Sequence, residues 1–397
     1  MLSQISPSLM SKISYYSSFP SNGVSLRQMV EFGKNPNQGT MLRATQFLSD
    51  ELPIRLAKRV IELNNLPFGL NKMPSILRVK HWYAESFQEL IEFPKIEIAG
   101  YIRDKYRNSF MNGKAYYTQF DASDTQYLPV DTGSYIQDFT NLISAIKRRH
   151  DPTMISMAWG IIEWKNKDKD NQVNKEIQIF LDRFYLSRIG IRVLIGQQVA
   201  LQSQPPQKDY VGIICTNTNL GDIAKEAAEN ARYICQEHFA IFDAPKVEIV
   251  CPPGLSILYL PSHLHHMIFE LLKNSLRAVV EFHGLEKEEY PPIKLIIAEG
   301  KEDITIKISD EGGGIPRSGL PLIFTYLYTT ANIQFDENSF QFNEFNAPMA
   351  GFGYGLPISR LYARYFGGDL AVISMEGYGT DAYLHLSRLS DSKEPLP

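Results

Sequence analysis

The 397-residue chain has little sulfur chemistry to offer: its three cysteines, Cys215, Cys235 and Cys251, show neither zinc-ligand nor redox spacing. That excludes a disulfide scaffold and a cysteine-held metal centre, and it reads as buried thiols in a reducing compartment. No apolar run approaches the ~18 residues that a membrane-spanning helix needs. Positive charge is not in excess either. Lys and Arg number 40 against 44 Asp and Glu, for a formal charge of -4, which excludes a general nucleic-acid binder with its concentrated basic surface. Internal repeats are absent, as is the GxxxxGK[ST] of a P-loop.

What is present is globular. Hydrophobic residues make up 44% and charged residues 21%, and the length exceeds one ordinary core, so two domains are expected. The first thirty residues are serine-rich, carry Lys12 and Arg27, and hold no acid before Glu31; residues 1–24 are therefore expected to be a transit peptide or a disordered tail. From 25 to 203 the periodicity is helical, as in Leu56, Val60 and Leu63 or Phe180, Phe184 and Ile191, with breaks at LPFGLNKMPS, FPK, YLPVDT and Lys165 to Lys175. SQPPQKD reads as a linker. Residues 208–390 alternate short strands and helices, with IKLIIA and ITIKIS forming a hairpin pattern, and 391–397 are a short tail. The fold class is thus α+β: an N-terminal all-α helical bundle, then an α/β sandwich with a mixed sheet.

One predicted helix carries candidate chemistry. In HLHHMIFELLKNSLRAVVEF, Leu264, Met267, Ile268, Leu271, Leu272, Ala278 and Val279 make an apolar face. His266, Glu270, Asn274 and Arg277 line a second face, which is either a solvated surface or a site. After ITIKIS comes Asp310 with Gly312 and Gly314 in DEGGG; a carboxylate beside glycines can accept a hydrogen bond from an exocyclic amine while backbone approaches a ring. GFGYGLP then sets Gly351, Gly353 and Gly355 before a helix containing Pro357, an arrangement that turns backbone N–H groups toward phosphate.

The ordered set Glu270-x-x-x-Asn274, DEGGG, GFGYG and GYGTD with Thr380 resembles the GHKL (Bergerat-fold) ATPases and kinases. FLDRFYLSRIGIRVLI, PSHLHHMIFELLKNSLRA, AGFGYGLPISRLYARYFGGDL, SMEGYGTDA, LPIRLAKR and HWYAESF narrow the resemblance to the mitochondrial pyruvate dehydrogenase kinases, from about Leu26 to Leu389. The resemblance implies an ATP-dependent serine kinase of the mitochondrial matrix that phosphorylates the pyruvate dehydrogenase alpha subunit. It implies Mg²⁺ held by Asn274, adenine bound by Asp310 with Thr380, and further nucleotide contacts from Arg277, Gly312, Gly314, Thr329, Thr330, Gly351, Phe352, Gly353, Tyr354, Gly355 and Leu356. K⁺ near the nucleotide, on backbone carbonyls, belongs to the same implication. Residues 315 to 350 would be a mobile lid, interleaving Phe335, Phe340, Phe342 and Phe345 with polar residues, expected to fold over the γ-phosphate.

For phosphoryl transfer the implied general base is Glu270, tuned by His266 one turn earlier. The resemblance also implies a pocket for a small 2-oxo acid in the helical domain from Tyr83, Ser86, Lys147, His150, Ser187, Arg188 and Arg192, where Lys147 replaces the usual arginine and its bidentate fork. Val24, Met29, Phe32 and Phe47 occupy the positions that dock the lipoyl domain of the dihydrolipoyl transacetylase core. A homodimer through the nucleotide domains is implied as well, without the coupling that a long crossover tail provides. Three alternatives stand beside this reading: a branched-chain 2-oxoacid dehydrogenase kinase, a histidine kinase using His150-Asp151-Pro152, and an ATP-binding scaffold without catalysis.

Overall fold

The computed structural model describes residues 5–96, 121–167, 175–205, 207–328 and 353–396. Thr329, Thr330, Gly351, Phe352 and the lid phenylalanines lie outside the described residues. The chain divides into two compact units, Met1–Ile213 with the last two residues, and Ile214–Pro395.

The first unit is helical: α1 (Pro7–Ser17), α2 (Leu26–Gly33), α3 (Gln38–Asn64), α4 (Pro74–Glu92), α5 (Thr132–Arg149), α6 (Thr153–Lys167) and α7 (Lys175–Ser203), then a two-residue strand β1 (Tyr210–Val211). Helix starts follow local chemistry. Ser25 and Gln28 form a reciprocal capping box on α2, Asn37 accepts from Thr40 N at the start of α3, and Pro74 opens α4. The expected core stripe is present, with Leu56, Val60, Leu63 and Phe184 fully buried. Residues 7–17, within the expected transit peptide or disordered tail, are helical. They form α1, which packs on α3, buries Ile13 completely and sets Tyr16 edge-on to Phe87, because its apolar side chains find a helix groove that composition alone does not reveal.

The second unit is an α/β sandwich containing β2 (Ile214–Asn219), α8 (Leu220–Phe239), β3 (Val247–Val250), β4 (Ser256–Tyr259), α9 (Pro261–His283), β5 (Ile293–Glu299), β6 (Asp303–Asp310), α10 (Gly355–Tyr365), β7 (Asp369–Met375) and β8 (Gly379–Ser387). Its main sheet has the order β3-β5-β6-β8-β7; only β3 and β5 run parallel. Ile304, Ile306 and Ile308 of β6 are fully buried while Thr305, Lys307 and Ser309 face the other side. Each such isoleucine contributes roughly 1.5–3 kcal/mol, so the alternation fixes the register strongly. That register pairs Asp310 with Thr380 at the end of β6 and β8. Helix α9 crosses beneath β6, packed between α8 and α10.

Candidate active site

The end of β6 gathers donors onto one carboxylate. Asp310, buried, accepts from Ser275 Oγ at 2.8 Å on α9, from Gly312 N at 3.0 Å and from Thr380 N at 3.2 Å. Burial pushes its carboxyl above the ordinary value, and these three hydrogen bonds pull the other way without cancelling it. Ser374 Oγ extends the network, accepting from Ile315 N at 2.7 Å and pairing with Thr380 Oγ1 at 2.8 Å. The glycines here are dictated by space. A Cβ on Gly312 would lie 2.6 Å from Ala278 Cβ and 2.9 Å from Val279 N of α9, while Gly314 has φ +71° and presses on the Met375 carbonyl. The loop after Asp310 therefore lies flat, with no side chain of its own at Gly312–Gly314.

Along α9 the second face is not a fully solvated surface: His266, Asn274 and Arg277 are half-buried. Glu270 is buried, and its Oε1 accepts from Lys273 Nζ at 2.7 Å, with the lysine buried too. Burial pushes the Glu270 carboxyl upward, but Lys273 and then His266 outweigh it and hold the group below the usual carboxylate range. His266 packs edge-on against Tyr362 of α10 at 5.4 Å. The first residue of α10 closes the arrangement: a side chain at Gly355 would collide with Glu270 Oε2. Before it, Gly353 adopts φ +73° against the Tyr328 backbone, and Tyr354 starts α10 without a side-chain cap. Leu356 follows in its first turn. Asn274 and Arg277 are half-buried on the same helix, Arg277 Nε lying 3.5 Å from Glu281.

These residues fit Mg·ATP. The buried acceptor Asp310 sits beside a side-chain-free loop, and the uncapped start of α10 presents N–H groups next to Glu270. Among the described residues no group of three or more His, Cys, Asp or Glu could hold a metal alone. The amide oxygen of Asn274 is a hard donor, so a Mg²⁺ ion on it would complete its shell with phosphate oxygens and water.

A second buried polar cluster lies within the helical unit. His150, at the end of α5, stacks on Tyr83 of α4 with ring centroids 4.3 Å apart, and its Nε2 is 3.1 Å from Ser86 Oγ. Burial lowers the imidazole to about 3, aided by Arg188, Arg149 and Arg192 and opposed by the Trp82 carbonyl. Burial of the His150 ring counts against its use as a phosphoacceptor and disfavours the histidine-kinase alternative. From α7, Arg188 donates to the His150 carbonyl at 3.2 Å and Arg192 to Asp151 Oδ1 at 2.7 Å. The buried Tyr83 hydroxyl faces the buried Thr153 Oγ1. Buried hydroxyls near three guanidinium groups suit a small anion. Ser187 is buried beside Arg188. Lys147 approaches α7 one turn further on, its ammonium 3.6 Å from the place a Cβ on Gly196 would take.

In the same unit Met29, Phe32 and Phe47 line an apolar cavity of about 30 Å³ with Ala44, Leu48 and Leu194. Val24 is buried but does not line it.

Several contributors escaped the sequence reading. Lys273 stands three residues after Glu270, and the i, i+3 ion-pair rule was the signal available for it. Arg149 grips Glu89 through two 2.7 Å hydrogen bonds and donates to Ser86 Oγ at 2.9 Å. Ser275, Ser374 and Thr153 carry no sequence signal, since serine and threonine are ordinary in such positions.

Comparison with known proteins agrees with the two-unit architecture. Residues 23–215 match the family described as mitochondrial branched-chain alpha-ketoacid dehydrogenase kinase, and residues 259–390 match the histidine kinase-, DNA gyrase B- and HSP90-like ATPase family. The chain is 46% identical to the mitochondrial pyruvate dehydrogenase (acetyl-transferring) kinase of Schizosaccharomyces pombe, over 100% of both chains. It is 47% identical to that of Arabidopsis thaliana over 98% of this chain and 97% of the relative. Isozyme 1 of Homo sapiens is 38% identical over 97% of this chain and 82% of its own.

Proposed function

Because the chain belongs to the mitochondrial pyruvate dehydrogenase kinase family, we propose that the cleft between Asp310 and Glu270 transfers phosphate from ATP to a serine of the pyruvate dehydrogenase alpha subunit. The protein is an ATP-dependent protein serine kinase. The observation that carries the chemistry is the placement of an ionised, buried Glu270 against the first residue of the glycine-box helix. Mg·ATP supplies the electrophilic γ-phosphoryl group when bound. Asp310, with Thr380 and Ser275 steadying it, is the adenine acceptor; Asn274 is the metal ligand; the backbone around Gly353, Gly355 and Leu356 is the phosphate cradle. Glu270 takes the serine proton, and His266 orients it. Full-length relatives named for pyruvate dehydrogenase, at 46% and 47% identity, favour that complex over the branched-chain one.

The test is Glu270→Gln, which keeps the shape and removes the acceptor. Transfer of γ-³²P to the purified complex is expected to fall by about 10²-fold or more while a nonhydrolysable analogue still binds. Near-normal transfer would sink the assignment of the base. A wild-type chain that binds the analogue yet labels no complex would instead support the scaffold reading.

Five finer readings accompany this one. The Tyr83–His150–Arg188 cluster is a regulatory site for a small 2-oxo acid, supported by its buried hydroxyls and nearby guanidinium groups. The cavity at Met29, Phe32 and Phe47 receives the lipoyl arm of the transacetylase core, supported by its apolar lining. The open face of the main sheet, where Ile373 and Met375 are 64% and 67% exposed, is the homodimer surface. K⁺ binds near the nucleotide on backbone carbonyls, and exchange of K⁺ for Na⁺ during analogue binding tests it. The mitochondrial matrix is the compartment proposed, since the relatives carry the word mitochondrial in their names.

A further inference from the structure

Lys273 is a cation in direct contact with the proposed base, and its position raises a difficulty. Its ammonium sits 2.7 Å from Glu270 Oε1 with both side chains almost wholly buried. The other oxygen, Oε2, faces the first residue of α10, where only a glycine at 355 leaves it room. A carboxylate paired with a buried ammonium in this way is a poorer proton acceptor than a free one. A buried ion pair also does not open by itself, because separating it leaves an uncompensated charge on each side. Something must draw the lysine away, and it must be a stronger anion at the same end of the helix.

The helix supplies the location for that anion. Lys273 immediately precedes Asn274, and α10 begins against the same carboxylate. Phe269 lies below the ammonium at 5.4 Å, so the group rests on an aromatic face with Glu270 on one side. A long lysine side chain can swing about its own stem without moving the helix.

We infer that Lys273 is a positioning residue that masks Glu270 in the nucleotide-free protein and transfers its ammonium to the polyphosphate when Mg·ATP binds, freeing the carboxylate for the serine hydroxyl. The inference rests on Glu270 being the base, as proposed above. It couples nucleotide occupancy to the readiness of the base: without a polyanion in the cradle, Glu270 is held idle. The lysine only changes its partner.

Lys273→Met and Lys273→Arg test this in the full-length chain through two separate readouts. Calorimetry with a Mg-bound nonhydrolysable ATP analogue reads the contact with phosphate; single-turnover ³²P transfer to the purified complex reads the release of Glu270. Lys273→Met is expected to weaken analogue binding about tenfold, since a charge-assisted contact is lost. Lys273→Arg is expected to bind the analogue within about threefold of wild type but to transfer at least tenfold more slowly, because a guanidinium fork grips a carboxylate with two hydrogen bonds and yields it reluctantly. This split between affinity and rate is not what a merely structural lysine would give. Wild-type affinity in Lys273→Met overturns the inference, as does full-rate transfer in Lys273→Arg. If Lys273→Met fails to fold, the arginine variant, which keeps charge and pairing, still decides. Failure of the kinase reading looks different: wild-type chain would bind the analogue and label no complex, and Glu270→Gln would change nothing further.

Discussion

Both units bury ionisable groups, but they bring them together by different means. In the nucleotide unit, Glu270, Lys273, Asn274 and Ser275 come from two turns of α9, and Asp310 and Thr380 from neighbouring residues of paired strands. Backbone hydrogen bonds set those distances. In the helical unit, Tyr83 and Ser86 come from α4, His150 from the end of α5, Thr153 from α6, and Arg188 and Arg192 from α7. Only side-chain packing between helices sets the distances there, so a small slide of one helix alters every contact at once. A site built on local backbone geometry suits chemistry that needs fixed distances. One assembled across helices suits a group that must respond to a ligand.

The comparison breaks most readily at Gly314. Alanine there must adopt φ +71° and collide with the Met375 carbonyl, which costs about 3 kcal/mol or more. Analogue affinity measured by calorimetry is expected to fall more than about hundredfold; retention of tight binding would mean the loop after Asp310 is not rigidly set. Arg188→Ala comes next. Removing a buried guanidinium is expected to raise the pyruvate or dichloroacetate concentration needed for inhibition by about hundredfold, with basal transfer largely intact. Wild-type enzyme indifferent to both compounds would strip the helical cluster of its regulatory role.

A smaller effect concerns acid stability. His150 is held down to about 3 in the folded chain, so the unfolded chain takes up its proton first as pH falls. That contribution to stability is complete above the unfolded value of about 6.5 and is lost on the way down to about 3; between pH 7 and pH 5 it amounts to roughly 2 kcal/mol. Urea unfolding at the two pH values is expected to show His150→Gln losing correspondingly less stability than wild type. Equal losses would contradict a neutral, buried imidazole. The smallest effect is that of Ser374→Ala, which removes the acceptor for Ile315 N and the partner of Thr380 Oγ1. About 1 kcal/mol, or roughly fivefold in analogue affinity, is expected; no change would show that Thr380 holds Asp310 without help.

Much of the nucleotide unit was legible in the sequence. Alternation in ITIKIS gave the buried face of β6, and DEGGG and GFGYG announced backbone conformations that glycine alone adopts cheaply. The apolar stripe of α9 pointed to its packing face. Less was legible in the helical unit, where periodicity located helices but not their neighbours. Arg149 carries no sequence signal of its own; only packing shows it clamped to Glu89 and Ser86. The same limit applied to residues 7–17, whose composition suggested disorder although their helix buries Ile13.

By itself, then, the sequence determined the features that depend on chain neighbours within a few residues: helix and strand periods, capping, glycine-dependent turns, and the order of the nucleotide motifs. Tertiary structure alone decided which charges are buried and which partners they meet. It set Lys273 on Glu270, Ser275 on Asp310, and His150 over Tyr83. The physical reason is that burial and the electrostatic balance of a charge depend on everything packed around it, and most of those neighbours are remote along the chain.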